Sequence, residues 1–278
     1  KGHDVRVWVR NRQAVSASYS FGIKLVDGAG TKYVVLDSRT VPAGKWVKLG
    51  GYYKHSPTGT VSLAQVYLNG PAVGTDFFID DARLDPPEAY VPTGGADSDF
   101  IRASGRQLVV GAANTPIRLL GTNFAAYGDE SDVIDSVLKS REFDREDYAA
   151  VRAAGLNAVR LNVWYRMFED NASPYAYKQE GWDWLNKQIV WARQGGVRVL
   201  LSMMAPQCGY QGSGYTGTFW TSGNAYGSCQ DRLTALWTEI ASRYKDEPVI
   251  AGFDVMNETL PANNAQDQAY VETLARAS

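Results

Sequence analysis

Val197-Arg198-Val199-Leu200-Leu201-Ser202-Met203 stands between two stretches, Trp182–Gln194 and Leu233–Tyr244, whose apolar residues recur at helical spacing. A strand that is apolar at almost every position needs cover on both faces. That is the environment of a parallel sheet flanked by helices, whereas a strand with one wet face alternates. The same grammar extends outward in both directions. Asp144–Ala154 reads as a helix, Asn157–Val163 as a strand, Val249–Met256 as a further strand, and Ala265–Ala277 as a polar helical tail. Gly155, Gly196 and Pro248 each fall between a helix end and the next strand, where left-handed caps and helix breakers belong. Ahead of these units, Phe100–Val110 predicts a hairpin and Ile117–Gly121 the first strand of the series. From residue 99 onward the chain is therefore expected to build successive βα units.

The front of the chain follows a different rule. Val5–Arg10, Tyr19–Val26, Lys32–Ser38, Trp46–Tyr53, Ser62–Leu68 and Asp76–Leu84 alternate with period two. They are separated by turn signals such as Asp27-Gly28-Ala29-Gly30, Pro42-Ala43-Gly44 and Asn69-Gly70-Pro71. Residues 1–86 thus predict an all-β, jelly-roll-like sandwich. The stretch at 87–98, rich in Pro and Gly with little to bury, predicts a linker. With 278 residues, of which 45% are hydrophobic, two cores are affordable.

Composition also narrows the partners. A formal net charge of −2 with no long run of either sign gives no reason to expect nucleic acid or anionic lipid. No apolar run approaches the roughly 20 residues of a membrane span. Eight Trp and sixteen Tyr supply flat amphipathic faces suited to stacking on a neutral ligand or to filling cores. Cys208 and Cys229 lie in one loop region and either close a disulfide or stay as two thiols, and no metal-site spacing is present. Lys1 precedes a strand pattern directly, so both ends read as cut and the lack of a leader says nothing about export.

Asn257-Glu258 follows the apolar run of Val249–Met256. A carboxylate at the C-terminal mouth of a parallel strand is where barrel enzymes place an acid/base, although an Asn-Glu pair also suits a helix cap. Arg160 sits inside an apolar strand, where an unpaired guanidinium is costly, so it should face a carboxylate. The alternative for it is a buried structural ion pair.

Three ordered motifs carry a resemblance: Gly121-Thr122-Asn123-Phe124, Ala154-Gly155-Leu156-Asn157-Ala158-Val159-Arg160-Leu161, and Gly252-Phe253-Asp254-Val255-Met256-Asn257-Glu258. Residues 99–278 resemble the N-terminal half of a glycoside hydrolase family 5 catalytic domain, the family of many cellulases and mannanases. The resemblance implies the first four units of a (β/α)8 TIM barrel and a retaining hydrolase of β-linked glycans. Glu258 would be its acid/base, Asn257 would hold the sugar 2-hydroxyl, and Arg160 would face the nucleophile. Asn123, Trp164, Tyr165, Tyr210 and Trp220 would line the substrate cleft. Met203-Met204-Ala205-Pro206-Gln207-Cys208-Gly209-Tyr210-Gln211 resembles a family variant with His at the place of Met204 and Gly at the place of Cys208.

The family's nucleophile, a Glu ending strand seven, has no counterpart here, so the chain alone is expected not to hydrolyse. Its open sheet edges are expected to promote self-association.

The front domain resembles carbohydrate-binding modules of families 4, 9 and 22, through Val7-Trp8-Val9-Arg10, Ala43–Leu49 and Asp76–Leu84, with its first strands missing. Tyr19, Tyr33, Tyr52, Tyr67 and Gln65 are its candidate sugar contacts, and Trp46 and Phe78 are expected in its core. The expected partner is a polysaccharide or oligosaccharide in an extracellular setting, with no cofactor. The alternative function is carbohydrate binding without catalysis.

Overall fold

The structure is a computed structural model that describes residues 2–86, 88–96, 99–125, 143–208, 218–220, 228–258 and 264–277. It divides into two compact units, one built on Lys1–Glu88 and the other on Ala89–Glu130 and Phe143–Ser278.

The first unit holds β1 (Gly2–Asn11), β2 (Ala17–Asp27), β3 (Gly30–Val41), β4 (Trp46–Lys54), β5 (Leu63–Asn69) and β6 (Phe77–Asp85). They form two antiparallel three-stranded sheets, ordered β4-β1-β6 and β3-β2-β5. Alternation sets the core. Val5, Val7 and Val9 of one sheet and Tyr19, Phe21, Ile23 and Leu25 of the other lie in a single buried cluster. Each large apolar side chain in it contributes roughly 1.5–3 kcal/mol of transfer free energy. Trp46 and Phe78 do not belong to this core: they are 41% and 45% exposed, and the guanidinium of Arg12 lies 4.8 Å above the Phe78 ring. Their neighbours Val47, Leu49 and Phe77 face inward instead. A one-residue shift in facing moves every side chain of a strand to the opposite side, so reading Trp46 and Phe78 as core placed the wrong face inward.

The second unit opens with an antiparallel three-stranded sheet of β7 (Arg102–Ser104), β8 (Gln107–Val110) and β9 (Thr115–Ile117). A parallel sheet follows, ordered β10 (Gly121–Phe124), β11 (Ala158–Trp164), β12 (Arg198–Ala205) and β13 (Ile250–Asp254). Ile117 and Gly121, expected in one strand, therefore fall in two. Residue Ile117 pairs back on β8, while Gly121 starts β10. The change is enforced at Asn157, whose Oδ1 accepts from the Leu120 amide and whose Nδ2 donates to the Arg118 carbonyl. Gly121 is required because a Cβ there would lie 2.4 Å from the Ala158 carbonyl oxygen. As a result β10 is four residues, three of them exposed, and does not present the long apolar edge expected of the first strand.

The helices are α1 (Arg145–Ala153), α2 (Tyr165–Phe168), α3 (Gln179–Gly195), α4 (Cys229–Tyr244) and α5 (Asn264–Ala277). Asp144 caps α1 by accepting from the Glu146 amide, while Asp147 accepts from the Asp144 amide. Gly155 and Gly196 take φ of 79° and 64° just after α1 and α3, the left-handed stop that only Gly adopts without strain. Val159, Leu161 and Val163 of β11 and Val199, Leu201 and Met203 of β12 are at most 1% exposed, and α3 packs on β12. The opposite face of the same strands carries Arg160, Asn162, Ser202 and Met204. In β11 and β12 the polar side chains are thus confined to one face.

The segment expected to be a bare linker is fastened to this second unit. Arg193 donates to the Val91 carbonyl at 3.0 Å, and the Tyr90 ring packs edge-on against Tyr244 at 5.2 Å. Burial, with Glu247 nearby, raises the Tyr90 phenol to about 12. No helix among the described residues is long and apolar enough to cross a membrane.

Candidate functional site

At the C-terminal end of the parallel sheet, three strands deliver polar groups to one point. Arg160 of β11 donates through Nε and Nη2 to Asp254 Oδ2 of β13, at 3.1 and 2.6 Å. The same Nη2 donates to Asn257 Oδ1 at 2.8 Å. Ser202 of β12 donates to Asp254 Oδ2 at 2.8 Å. The carboxylate facing Arg160 is therefore Asp254, a residue quoted in the strand motif but given no role by sequence. Its signal was its spacing. Asp254 sits in register with Ser202 on the inner face, as Arg160 sits in register with exposed Asn123.

Asn257 does not cap a helix, since its side-chain oxygen is taken by Arg160 and α5 begins only at Asn264. Its amide donates to the Met203 carbonyl at 2.9 Å, carrying β12–β13 pairing past the strand end. With Oδ1 occupied, Nδ2 is the free end, a buried donor with no partner among the described residues. A buried donor left unpaired costs about 1–3 kcal/mol, a penalty expected where a ligand is to be met. Glu258 follows in the left-handed region at φ 46°, and its side chain is exposed. Such backbone strain in a residue other than Gly costs on the order of 1–3 kcal/mol and clusters at functional sites. The arrangement presents an exposed carboxylate beside an amide donor whose orientation is fixed by a charged hydrogen bond. Among the described residues no group of three His, Cys, Asp or Glu is arranged to hold a metal.

Behind the strand ends lies a second polar cluster. Glu169 and Arg232 form an ion pair at 2.9 Å with neither side chain exposed. Gln207 donates to Glu169 Oε2 at 2.9 Å and the Tyr175 amide to Oε1 at 2.6 Å. Arg232 also donates to Asn171 at 3.1 Å. Burial, with Glu169 adding to it, raises the Tyr177 phenol to about 12. Next to Gln207, Cys208 is bridged to Cys229, with Cα atoms 6.0 Å apart. The bridge closes a loop of separation 21, worth roughly 3 kcal/mol in chain entropy. Replacing both cysteines by Ser should lower unfolding stability by about that amount, read from urea titration. A loss under about 1 kcal/mol would show that the network alone holds the loop.

Trp164, Tyr165 and Trp220, expected to line a cleft, are 4%, 5% and 9% exposed. All three are buried. Tyr165 donates to Asn171 and lies 5.8 Å beneath the Arg232 guanidinium, so it belongs to the ion-pair cluster. Tyr210 lies outside the described residues. Met204 is on the inner face, with its sulfur accepting weakly from Asn162 Nδ2 at 3.5 Å.

In the first unit, Tyr33, Gln65 and Tyr67 come together with Lys24 and Asn69 around a hollow of about 420 Å³. The two Tyr rings meet edge to face at 6.0 Å, and the Lys24 ammonium lies 5.6 Å from the Tyr33 centroid. Gly22 makes room for this, because a Cβ there would sit 2.6 Å from the Tyr67 hydroxyl. Tyr19 is not part of it. The ring is 1% exposed, in the core, with its hydroxyl donating to Asn11. Its face was legible from Tyr19, Phe21, Ile23 and Leu25, which alternate with Ser18, Ser20, Gly22 and Lys24. Tyr52 is half-buried on β4, in the other sheet.

The cellulase family, glycosyl hydrolase family 5, matches residues 121–277. A β-xylosidase from Phanerodontia chrysosporium is 32% identical over 118 residues, 42% of this chain and 25% of its own length. A glucan 1,3-β-glucosidase from Blumeria graminis is 27% identical over 232 residues, 81% of this chain and 42% of its own length. The chain thus spans less than half of each of these curated relatives. Among solved structures, an endocellulase from Pyrococcus horikoshii in complex with cellotetraose aligns over 64% of this chain and 53% of its own, at 18% identity and a TM-score of 0.45.

Proposed function

The chain belongs to glycosyl hydrolase family 5, the cellulase family, and on that premise we propose that it works in a retaining hydrolase of β-linked glycans with Glu258 as acid/base. The observation that carries the proposal is the Arg160–Asp254–Asn257 cluster, which fixes the amide beside an exposed, conformationally strained Glu258. In this mechanism Glu258 protonates the leaving oxygen while a second carboxylate, about 5 Å away, attacks the anomeric carbon. Water then releases the glycosyl group and returns its proton to Glu258. Asn257 Nδ2 donates to the sugar 2-hydroxyl, a bond that strengthens as positive charge develops. Asp254 is held by Arg160 and Ser202, so in this reading it is a positioning group and the attacking carboxylate is another residue.

The substrate class is cellulose or a related β-glucan or mannan. The first unit, as a two-sheet sandwich, supplies a glycan surface at Tyr33, Gln65 and Tyr67. The Cys208–Cys229 bridge supports an extracellular setting.

A second reading, glycan binding without turnover, draws on Met204, which puts a thioether on the polar inner face. Incubating the whole protein with soluble and insoluble β-glucans separates the two. New reducing ends with retained anomeric configuration by NMR support the hydrolase, whereas co-sedimentation with no new ends supports the binder.

A further inference from the structure

We propose that Trp237 is a positioning residue for the acid/base, acting through the backbone that presents Glu258; the inference rests on the hydrolase reading above. Trp237 is 2% exposed on α4, and its indole N–H donates to the Val255 carbonyl at 3.0 Å, three residues before Glu258. Its ring also meets Phe253 edge-on at 5.5 Å, so it holds the outer side of β13 on both sides of Asp254.

The carbonyl it engages lies in the short span where β13 has ended and no helix has begun. There the chain must leave a strand, donate from the Asn257 amide to Met203, and enter the left-handed region at Glu258. A strained turn persists only where its surroundings over-determine it. Inside, Arg160 holds the Asn257 side chain; outside, the Trp237 indole holds the Val255 peptide. The helix that carries the indole is itself anchored beyond the ends of β11 and β12. Cys229 bridges to Cys208 beyond β12, and Arg232 pairs with Glu169 beyond β11. Cys229, Arg232, Leu233, Leu236 and Trp237 recur at helical spacing on the buried face of α4, which makes it a strut across three strands.

An acid misplaced by a fraction of an ångström loses most where the leaving group needs a proton most. The test is Trp237→Phe in the whole protein, together with benzothienylalanine at 237, which keeps the bicyclic shape and lacks the N–H. Both should lower kcat about tenfold on polymeric β-glucan with KM little changed, and far less on an aryl β-glycoside whose nitrophenolate leaves unaided. Equal losses on both substrates, or none, from the benzothienyl protein would overturn the positioning role. Glu258→Gln is run beside it. If that variant shows no dependence on the leaving group, the hydrolase reading fails first; if it does and the position-237 variants do not, only the present inference fails.

Discussion

Glu258→Gln in the whole protein lowers kcat/KM on a polymeric β-glucan by roughly 10²–10⁴-fold, the usual contribution of a positioned general acid/base. The variant keeps the shape and the reach of the side chain and removes its capacity to give up and take back a proton. The Glu258 side chain is exposed, so stability should stay within about 0.5 kcal/mol, as for surface substitutions generally. Measuring reducing ends and urea unfolding on the same sample therefore separates chemistry from fold. Unchanged turnover would end the assignment of Glu258.

Breaking the Glu169–Arg232 pair has the larger effect on stability. Neither side chain is exposed, so removing one leaves the other as an uncompensated charge away from water, at a cost of about 3–5 kcal/mol. Glu169→Ala removes the acceptor of three donors at once: Arg232 Nε, Gln207 Nε2 and the Tyr175 amide. Arg232→Ala leaves the carboxylate, among the described residues, with two neutral donors, Gln207 Nε2 and the Tyr175 amide. Replacing both, with Glu169→Leu and Arg232→Met, should cost less than either single change, because no buried charge is left unpaired. Urea unfolding of the three variants decides it. Single-variant losses below about 1 kcal/mol would mean that water reaches the pair and screens it.

The elements were readable wherever periodicity and cover agreed. Val5, Val7 and Val9 alternate because one side of β1 is core, and Val199, Leu201 and Met203 of β12 are apolar because helices cover that side of the sheet. Reading failed where the deciding contact is long-range. Ile117 to Gly121 looks like a strand, yet Leu120 is 46% exposed, and the pairing is set by Asn157, which no local pattern announces. Period two separates two faces without saying which faces inward, hence the reversals at Trp46 and Phe78. At the candidate site, Asn257 and Glu258 stood out because they follow an apolar run. Asp254 was hidden inside that run, and its importance shows only when Arg160, 94 positions earlier, is brought to it. The Glu169 cluster was illegible for the same reason: its members come from three separate stretches.

The backbone of Glu258 has a consequence for how this protein varies. At φ 46° the position suits Gly or Asn better than Glu, so the sequence that folds most securely there is one that cannot donate a proton. A library screened for thermal resistance alone should drift away from Glu at 258, whereas one screened for turnover should hold it fast and gather its improvements elsewhere. The two selections would diverge at a single codon.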